Sequence, residues 1–210
     1  MRIEEDKLIN IDEDPDAAIM VASELFRSGK VFIYPTDTIY GIGGNPFDEN
    51  VISRIAELKS RDETKKFIWL LLDFERVMSY AEIIFEDHLE FLHKIWPAPI
   101  TVIVNLNKRT SEIIRQKTVA IRVPQNEFCL KLLNEISRPL ISTSVNRSGA
   151  DPITKIDDIV SNFSSYVDAI FFNSQPTEST SSTIIDLTSK KPKLIREGSI
   201  KFVELLKYFS

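Results

Sequence analysis

Cysteine occurs once in this 210-residue chain, at Cys129, and histidine only twice. A single cysteine makes no intramolecular disulfide, and with two histidines it cannot build a four-cysteine or a two-cysteine, two-histidine zinc site. His88 and His93 stand five apart in a segment that reads as helix, which keeps them off one face. They read as solvated or half-buried positions, and no protein-held metal is expected. No stretch approaches the roughly 18 uninterrupted apolar residues of a membrane span. The acidic start also lacks the basic and apolar regions of a signal peptide, so the expectation is a cytoplasmic protein with no membrane partner. No internal repeat is evident. Basic excess is missing too, with 26 Lys and Arg against 31 Asp and Glu. Residues 1–16 hold seven acidic side chains against Arg2 and Lys7, so the rest balances at 24 of each sign. The body is therefore no generic polyanion binder, although a local basic site fits a neutral background.

What is present is an ordinary globular composition, 43% hydrophobic and 27% charged, in a chain long enough for one substantial core. We divide it into an acidic N-terminal segment, 1–14, and a single domain, 15–210. The first ten residues read as a short strand or a loosely held arm. Asp14-Pro15 opens a helix with an N-cap and a proline at its first turn, Ala18, Ile19, Ala22, Leu25 and Phe26 follow at helical spacing, and Gly29 stops it. Val31–Tyr34 reads as a short buried strand, and the polar, glycine-rich run Pro35–Gly44 as a loop beside its end. Further helices are expected at 48–60, 75–95, 126–136, near 155–163 and from about 200. Strands are expected at 67–72, 100–105, 119–123, 140–143, 167–172, 183–187 and 193–196. Alternating helices and strands imply an α/β or α+β layered domain with a mixed sheet.

Several familiar sites are absent. Gly41-x-Gly43 lacks the third glycine of a dinucleotide fingerprint, since position 46 is proline. There is no P-loop and no G-x-S-x-G nucleophile elbow. Three polar clusters remain near strand ends: Thr36, Asp37, Thr38, Tyr40 and Gly41; Lys59, Arg61 and Lys65; and Ser142, Thr143, Ser144, Asn146, Ser148 and Gly149. Cations two residues apart at a helix end can reach a polyphosphate, and hydroxyls with an amide suit ligand orientation. Each cluster taken singly reads first as a solvated surface or a set of turns and caps. The serine- and threonine-rich run 177–183 reads as a polar surface or active-site loop. From the residues alone the chain is a small-molecule or nucleotide-binding α/β protein.

Seven segments in order carry a resemblance: Tyr34-Pro-Thr-Asp-Thr-Ile-Tyr-Gly-Ile-Gly43, Lys59-Ser-Arg61 with Lys65, Trp96-Pro-Ala-Pro-Ile-Thr101, Val119-Ala-Ile-Arg-Val-Pro124, Ser142-Thr-Ser-Val-Asn146 with Ser148-Gly149, Ser182-Thr-Ile-Ile-Asp-Leu187 and Leu194-Ile-Arg-Glu-Gly198. Over residues 15–200 the chain resembles the YrdC/Sua5/TsaC-like threonylcarbamoyl-adenylate synthases, in their short single-domain form. The resemblance implies a YrdC/RibB-like domain with a twisted mixed sheet, flanking helices and a concave basic cavity. It implies a nucleotidyltransferase that joins L-threonine, bicarbonate or CO2, and ATP into threonylcarbamoyl-AMP and pyrophosphate. That is the first step of threonylcarbamoyl-adenosine formation at tRNA position 37. A separate transferase complex would complete that modification, so direct tRNA binding is expected to be weak or absent. Mg2+ would be held through the ATP phosphates.

By the same resemblance Lys59, Arg61 and Arg196 reach the nucleotide phosphates, and Ser142, Ser144, Asn146 and Ser182 lie beside the nucleotide. Thr36, Tyr40, Arg122 and Ser182 lie at the threonine and carbamate end, with Lys59, Arg61 and Thr36 as the catalytic set. Neither Lys59 nor Arg61 occupies an expected core position. Some positions depart from the usual pattern: Asp62 replaces proline, Val145 replaces alanine beside the nucleotide-facing serine, and Gly44 stands where many members have cysteine. The alternatives are a YrdC-like paralogue with different nucleotide chemistry and a module that binds double-stranded RNA or tRNA.

Overall fold

The computed structural model describes residues 7–60, 67–174 and 180–209. Its strands are β1 (Leu8–Asn10), β2 (Phe32–Tyr34), β3 (Gly41–Gly43), β4 (Ile68–Leu70), β5 (Ala81–Glu82), β6 (Ile100–Leu106), β7 (Thr118–Arg122), β8 (Leu140–Ser144), β9 (Ala169–Phe172), β10 (Thr183–Asp186) and β11 (Lys193–Arg196). The helices are α1 (Pro15–Arg27), α2 (Glu49–Leu58), α3 (Phe74–Met78), α4 (Glu86–Ile95), α5 (Lys108–Ile114), α6 (Glu127–Ile136), α7 (Ile156–Phe163) and α8 (Phe202–Leu205). The helix starts follow from side-chain caps. Asp14 accepts from Ala17 N, Asp48 from Asn50 N, Asp73 from Arg76 N and Asn126 from Cys129 N. Each cap satisfies a backbone donor that the first turn leaves without a partner.

The strands form one sheet in the order β1-β9-β2-β3-β8-β4-β7-β6-β10-β11, with β5 paired to β6 outside that path. Pairs β1/β9, β2/β9, β4/β7 and β6/β10 are parallel and the others antiparallel, so the sheet is mixed as expected. Alternation along each strand then decides what covers what. On one face Val102, Val104, Val119, Ile121, Trp69 and Ile185 pack with Phe91, Leu92 and Ile95 of α4. Farther along that face Ile33, Ile42, Ile141 and Ile170 pack with Val51 and Ile55 of α2 and Ile159 and Phe163 of α7. On the opposite face α1 and α6 cover Phe32, Tyr34, Leu70, Leu140 and Phe171. Their cover stops there. The same-face residues Ile68, Ala120, Ile103 and Ile184 are only half-buried. That bare stretch of sheet is where a site can form.

Four expectations need correction. The proposed helix at 75–95 is two helices, α3 and α4, separated by β5 against the end of β6. Helix α5 was not expected, and the cap that starts it is Asn107, which accepts from Thr110 N. The run Pro35–Gly44 is a loop only as far as Tyr40, because Gly41–Gly43 is a strand inside the sheet, antiparallel to both β2 and β8. His88 is also buried, not solvated, and its Nε2 meets Lys190 O at 3.1 Å.

The glycines of β3 are there for space. Tyr34 lies across them to donate its hydroxyl to Ile141 O at 2.7 Å. A Cβ at Gly43 would stand 2.1 Å from Ile141 O and 2.8 Å from Tyr34 Cε1, and one at Gly41 would stand 3.0 Å from Ser142 Oγ. Burial raises the Tyr34 phenol well above its ordinary range, so it remains a donor. Gly43→Ala is expected to destabilise the fold by about 3 kcal/mol, the cost of overpacking against rigid backbone. For a chain of this size thermal unfolding should then show a drop of roughly 6–12 °C.

Candidate active site

The bare stretch forms the floor of a cavity of about 430 Å³, lined by Ile68, Ile103, Ala120 and Ile184 from the strands and by Phe67, Ile39 and Ile195 at its sides. Its polar lining is Thr38, Tyr40, Arg122, Ser142, Thr143, Ser144, Ser181, Ser182 and Arg196. Register explains the convergence. Ile68 pairs with both Ala120 and Ser142, Ile103 with Ala120, and Ile184 with Thr101, which puts outward residues of five strands on one patch. An apolar floor ringed by hydroxyls and two guanidinium groups suits a flat heterocycle carrying anionic groups.

The two arginines differ in surroundings. Arg122 is buried, its Nη1 donating to Thr38 Oγ1 at 2.9 Å and its Nη2 lying 3.4 Å from Asp37 Oδ1. Arg196 stands at the mouth, where Nη2 donates to Ser182 O at 2.9 Å. Among the described residues no carboxylate pairs with Arg196. Desolvation, and after it the positive charge of Arg122, lower its pKa from the usual guanidinium value. A cation desolvated beside another cation has a place for an anion next to it. Ser182 is fixed in turn by Thr101, Oγ to Oγ at 2.9 Å. Gly198 lets the β11 segment lie against this serine, since a Cβ there would stand 2.1 Å from Ser181 O and 2.6 Å from Ser182 O.

Of the site residues read from the sequence, Tyr40, Arg122, Ser142, Ser144, Ser182 and Arg196 line the cavity. Thr36, Lys59 and Asn146 are absent from its wall and lie behind it. The Thr36 hydroxyl donates to Ile39 O at 2.8 Å and accepts from Thr38 N at 3.1 Å, so it shapes the loop that presents Thr38. Lys59, expected away from the core, is only 3% exposed. Its ammonium donates to Ser144 O, to Asn146 O at 3.0 Å and to Asn146 Oδ1 at 2.6 Å. Ser144 Oγ donates to the same Oδ1 at 2.6 Å, and Asn146 Nδ2 to Ala150 O. Lys59 thus ties the end of α2 to the turn after β8. Val145 faces away from the cavity, into the core with Val51 and Ile55, so its extra bulk does not reach a ligand.

Arg61, Asp62, Lys65 and residues 177–179 lie outside the described residues. The sequence reading did not pick out the apolar floor, named Thr38 only as part of a polar cluster and held Ser181 only within the run 177–183. Those residues are recognisable once the strand register is known. Among the described residues no three His, Cys, Asp or Glu side chains converge on a metal position. None of the helices there is long and apolar enough to cross a membrane.

Comparison with known proteins decides the family. The Sua5/YciO/YrdC family, described as telomere recombination, matches residues 24–198. The chain belongs to the Sua5/YciO/YrdC family. A threonylcarbamoyl-AMP synthase of Pyrococcus abyssi is 32% identical to it over 203 residues, 95% of this chain and 60% of the relative. The chain thus spans about three-fifths of that protein's length. P. abyssi Sua5, solved in complex with L-threonine, superposes with a TM-score of 0.84 at 31% identity, over 92% of this chain and 57% of that one. E. coli YciO gives 0.82 at 26% identity and is matched over 92% of this chain and 93% of its own. Family membership therefore rests on sequence and on fold together.

Proposed function

We propose that the protein is an L-threonylcarbamoyladenylate synthase, joining L-threonine, bicarbonate or CO2, and ATP into threonylcarbamoyl-AMP and pyrophosphate. The observation that carries this reading is the cavity itself: an apolar floor between Arg122, balanced by Asp37, and Arg196, which no carboxylate balances among the described residues. Similarity to a threonylcarbamoyl-AMP synthase along 95% of this chain supports it. Threonine's amine adds to CO2 and gives up a proton, forming a carbamate. A carbamate oxygen attacks the α-phosphorus, the bond to the β-phosphate oxygen breaks, and pyrophosphate leaves. Two anions must meet, so the catalytic task is orientation and charge compensation, and the lack of a histidine or cysteine centre is no obstacle.

In this assignment Arg196 faces the phosphates, with Ser182 and Thr101 fixing its surroundings. Arg122 receives the carboxylate end of threonine, and Tyr40, Ser142 and Ser144 line the space between. Lys59, Asn146 and Thr36 act from behind, holding the turns that carry Ser144 and Thr38, while Arg61 completes the phosphate contacts. Mg2+ enters with ATP as part of the substrate. The product feeds a separate threonylcarbamoyl transferase complex in the cytoplasm, and this domain needs no strong grip on tRNA.

One observation favours a second reading, a paralogue with other nucleotide chemistry. E. coli YciO superposes on this chain almost as closely as P. abyssi Sua5 does, with TM-scores of 0.82 and 0.84. Pyrophosphate release from MgATP separates the two. The synthase reading expects release only when threonine and bicarbonate are both present. Release with another amino acid, or none from folded protein that binds ATP, moves the assignment to the paralogue.

A further inference from the structure

Among the described residues Asp37 is the carboxylate that meets Arg122, and it is not part of the cavity lining. Its side chain is 8% exposed, and neither of its oxygens has a hydrogen-bond partner. Arg122, whose side chain is 4% exposed, likewise leaves Nε without one. What joins the two is the 3.4 Å approach of Nη2 to Oδ1. Buried polar atoms are normally satisfied, and an underbonded buried ion pair is a poor source of stability compared with apolar packing. The pair nevertheless sits at the cavity wall, Arg122 at the end of β7 and Asp37 in a loop that is pinned at several points. Cys129 Sγ contacts Pro35 O at 3.4 Å, Thr36 Oγ1 and Thr38 Oγ1 lie 3.0 Å apart, and Thr38 accepts from Arg122 Nη1.

We propose that Asp37 is a positioning residue for the Arg122 guanidinium, and that it makes the Arg122 end of the cavity selective for a zwitterionic amino acid over a polyanion. This rests on reading the cavity as a threonylcarbamoyladenylate synthase site. Thr38 holds Nη1 and Asp37 approaches Nη2, which fixes how the fork presents itself to the cavity. Asp37 also cancels the charge of Arg122, so a triphosphate gains little there and is drawn to Arg196, whose charge stands unbalanced among the described residues. A ligand that brings both a carboxylate and an ammonium group loses nothing at a neutral pair. Two arginines in one cavity thus come to serve two substrates.

The test is threonine and MgATP binding by calorimetry, with KM values for both, in the wild-type protein and in Asp37→Asn. The variant keeps the side chain's size and removes its charge. The expected result is a threonine Kd about tenfold or more weaker, the scale of one charged hydrogen bond. ATP affinity should stay the same or tighten, and Asp37→Glu should recover part of the threonine affinity. Unchanged or tighter threonine binding in Asp37→Asn would overturn the inference, as would equal losses for both substrates. If Asp37→Asn does not fold, Thr38→Val removes the other hold on the same guanidinium without uncovering a charge. Loss confined to threonine then supports the inference, and no change overturns it. Failure of the wild-type protein to bind threonine at all would instead remove the functional reading beneath it.

Discussion

Lys59→Met is expected to lower the thermal unfolding midpoint by roughly 10 °C and to remove at least ~99% of activity at temperatures where the variant is still folded. Both effects have one cause. The Lys59 ammonium serves Ser144 O, Asn146 O and Asn146 Oδ1 inside the protein. Methionine fills the same volume and donates nothing, which leaves buried acceptors short of partners at about 1–3 kcal/mol each, or about 3–5 kcal/mol together. The turn after β8 also carries Ser144 and Asn146, so loosening it displaces groups that line or support the cavity wall. The sequence alone led to a different expectation, that the fold would survive loss of Lys59 because the residue is not at an expected core position. Scanning calorimetry beside a pyrophosphate-release assay reads both effects. An unchanged midpoint with lost activity would mean that the ammonium acts on substrate and not on the turn.

Arg196→Ala is expected to do the opposite: leave the midpoint within ~2 °C of the wild type and lower kcat/KM for ATP by about 10²–10³, the range for removing one charge-stabilising donor. The residue is exposed at the mouth, and among the described residues no carboxylate depends on it. Its removal leaves Ser182 still tied to Thr101 at 2.9 Å. Arg196→Lys should recover only part of the loss, since an ammonium cannot reproduce a planar fork. Steady-state kinetics with ATP varied at saturating threonine and bicarbonate measures the effect. Loss of threonine binding with ATP binding intact would reverse the assignment of the two arginines.

The contrast between these residues shows what a sequence reveals and what it hides. Strands such as 100–105, 119–123 and 183–187 were readable because they are rich in β-branched residues. The break between α3 and α4 was not readable, because Val77, Phe91, Leu92 and Ile95 keep helical spacing on either side of it. Only the pairing of Ala81–Glu82 with β6 interrupts that pattern. Strand β3 was hidden because glycine is a poor strand former, and what calls for it is the ring of Tyr34.

At the site, Arg122 and Arg196 were legible through their motifs. Their difference in charge balance was not, since it depends on Asp37 meeting a strand that lies 84 residues from Thr38 in sequence. Ile103, Ala120 and Ile184 carry no chemical signal of their own. They become a floor only because α1 and α6 end where they do and because four strands share one register. Burial of Lys59 was equally invisible, since a lysine that ends a helix reads as solvated until the turn it holds is in place.

The central claim is that one cavity brings threonine, CO2 and the α-phosphate of ATP together. Its most direct test is mass spectrometry of the nucleotide product formed by the full chain from MgATP, L-threonine and 13C-bicarbonate. The account predicts threonylcarbamoyl-AMP carrying the 13C label, formed with pyrophosphate and absent when either threonine or bicarbonate is left out. An unlabelled adenylate, or AMP formed without threonine, would contradict it.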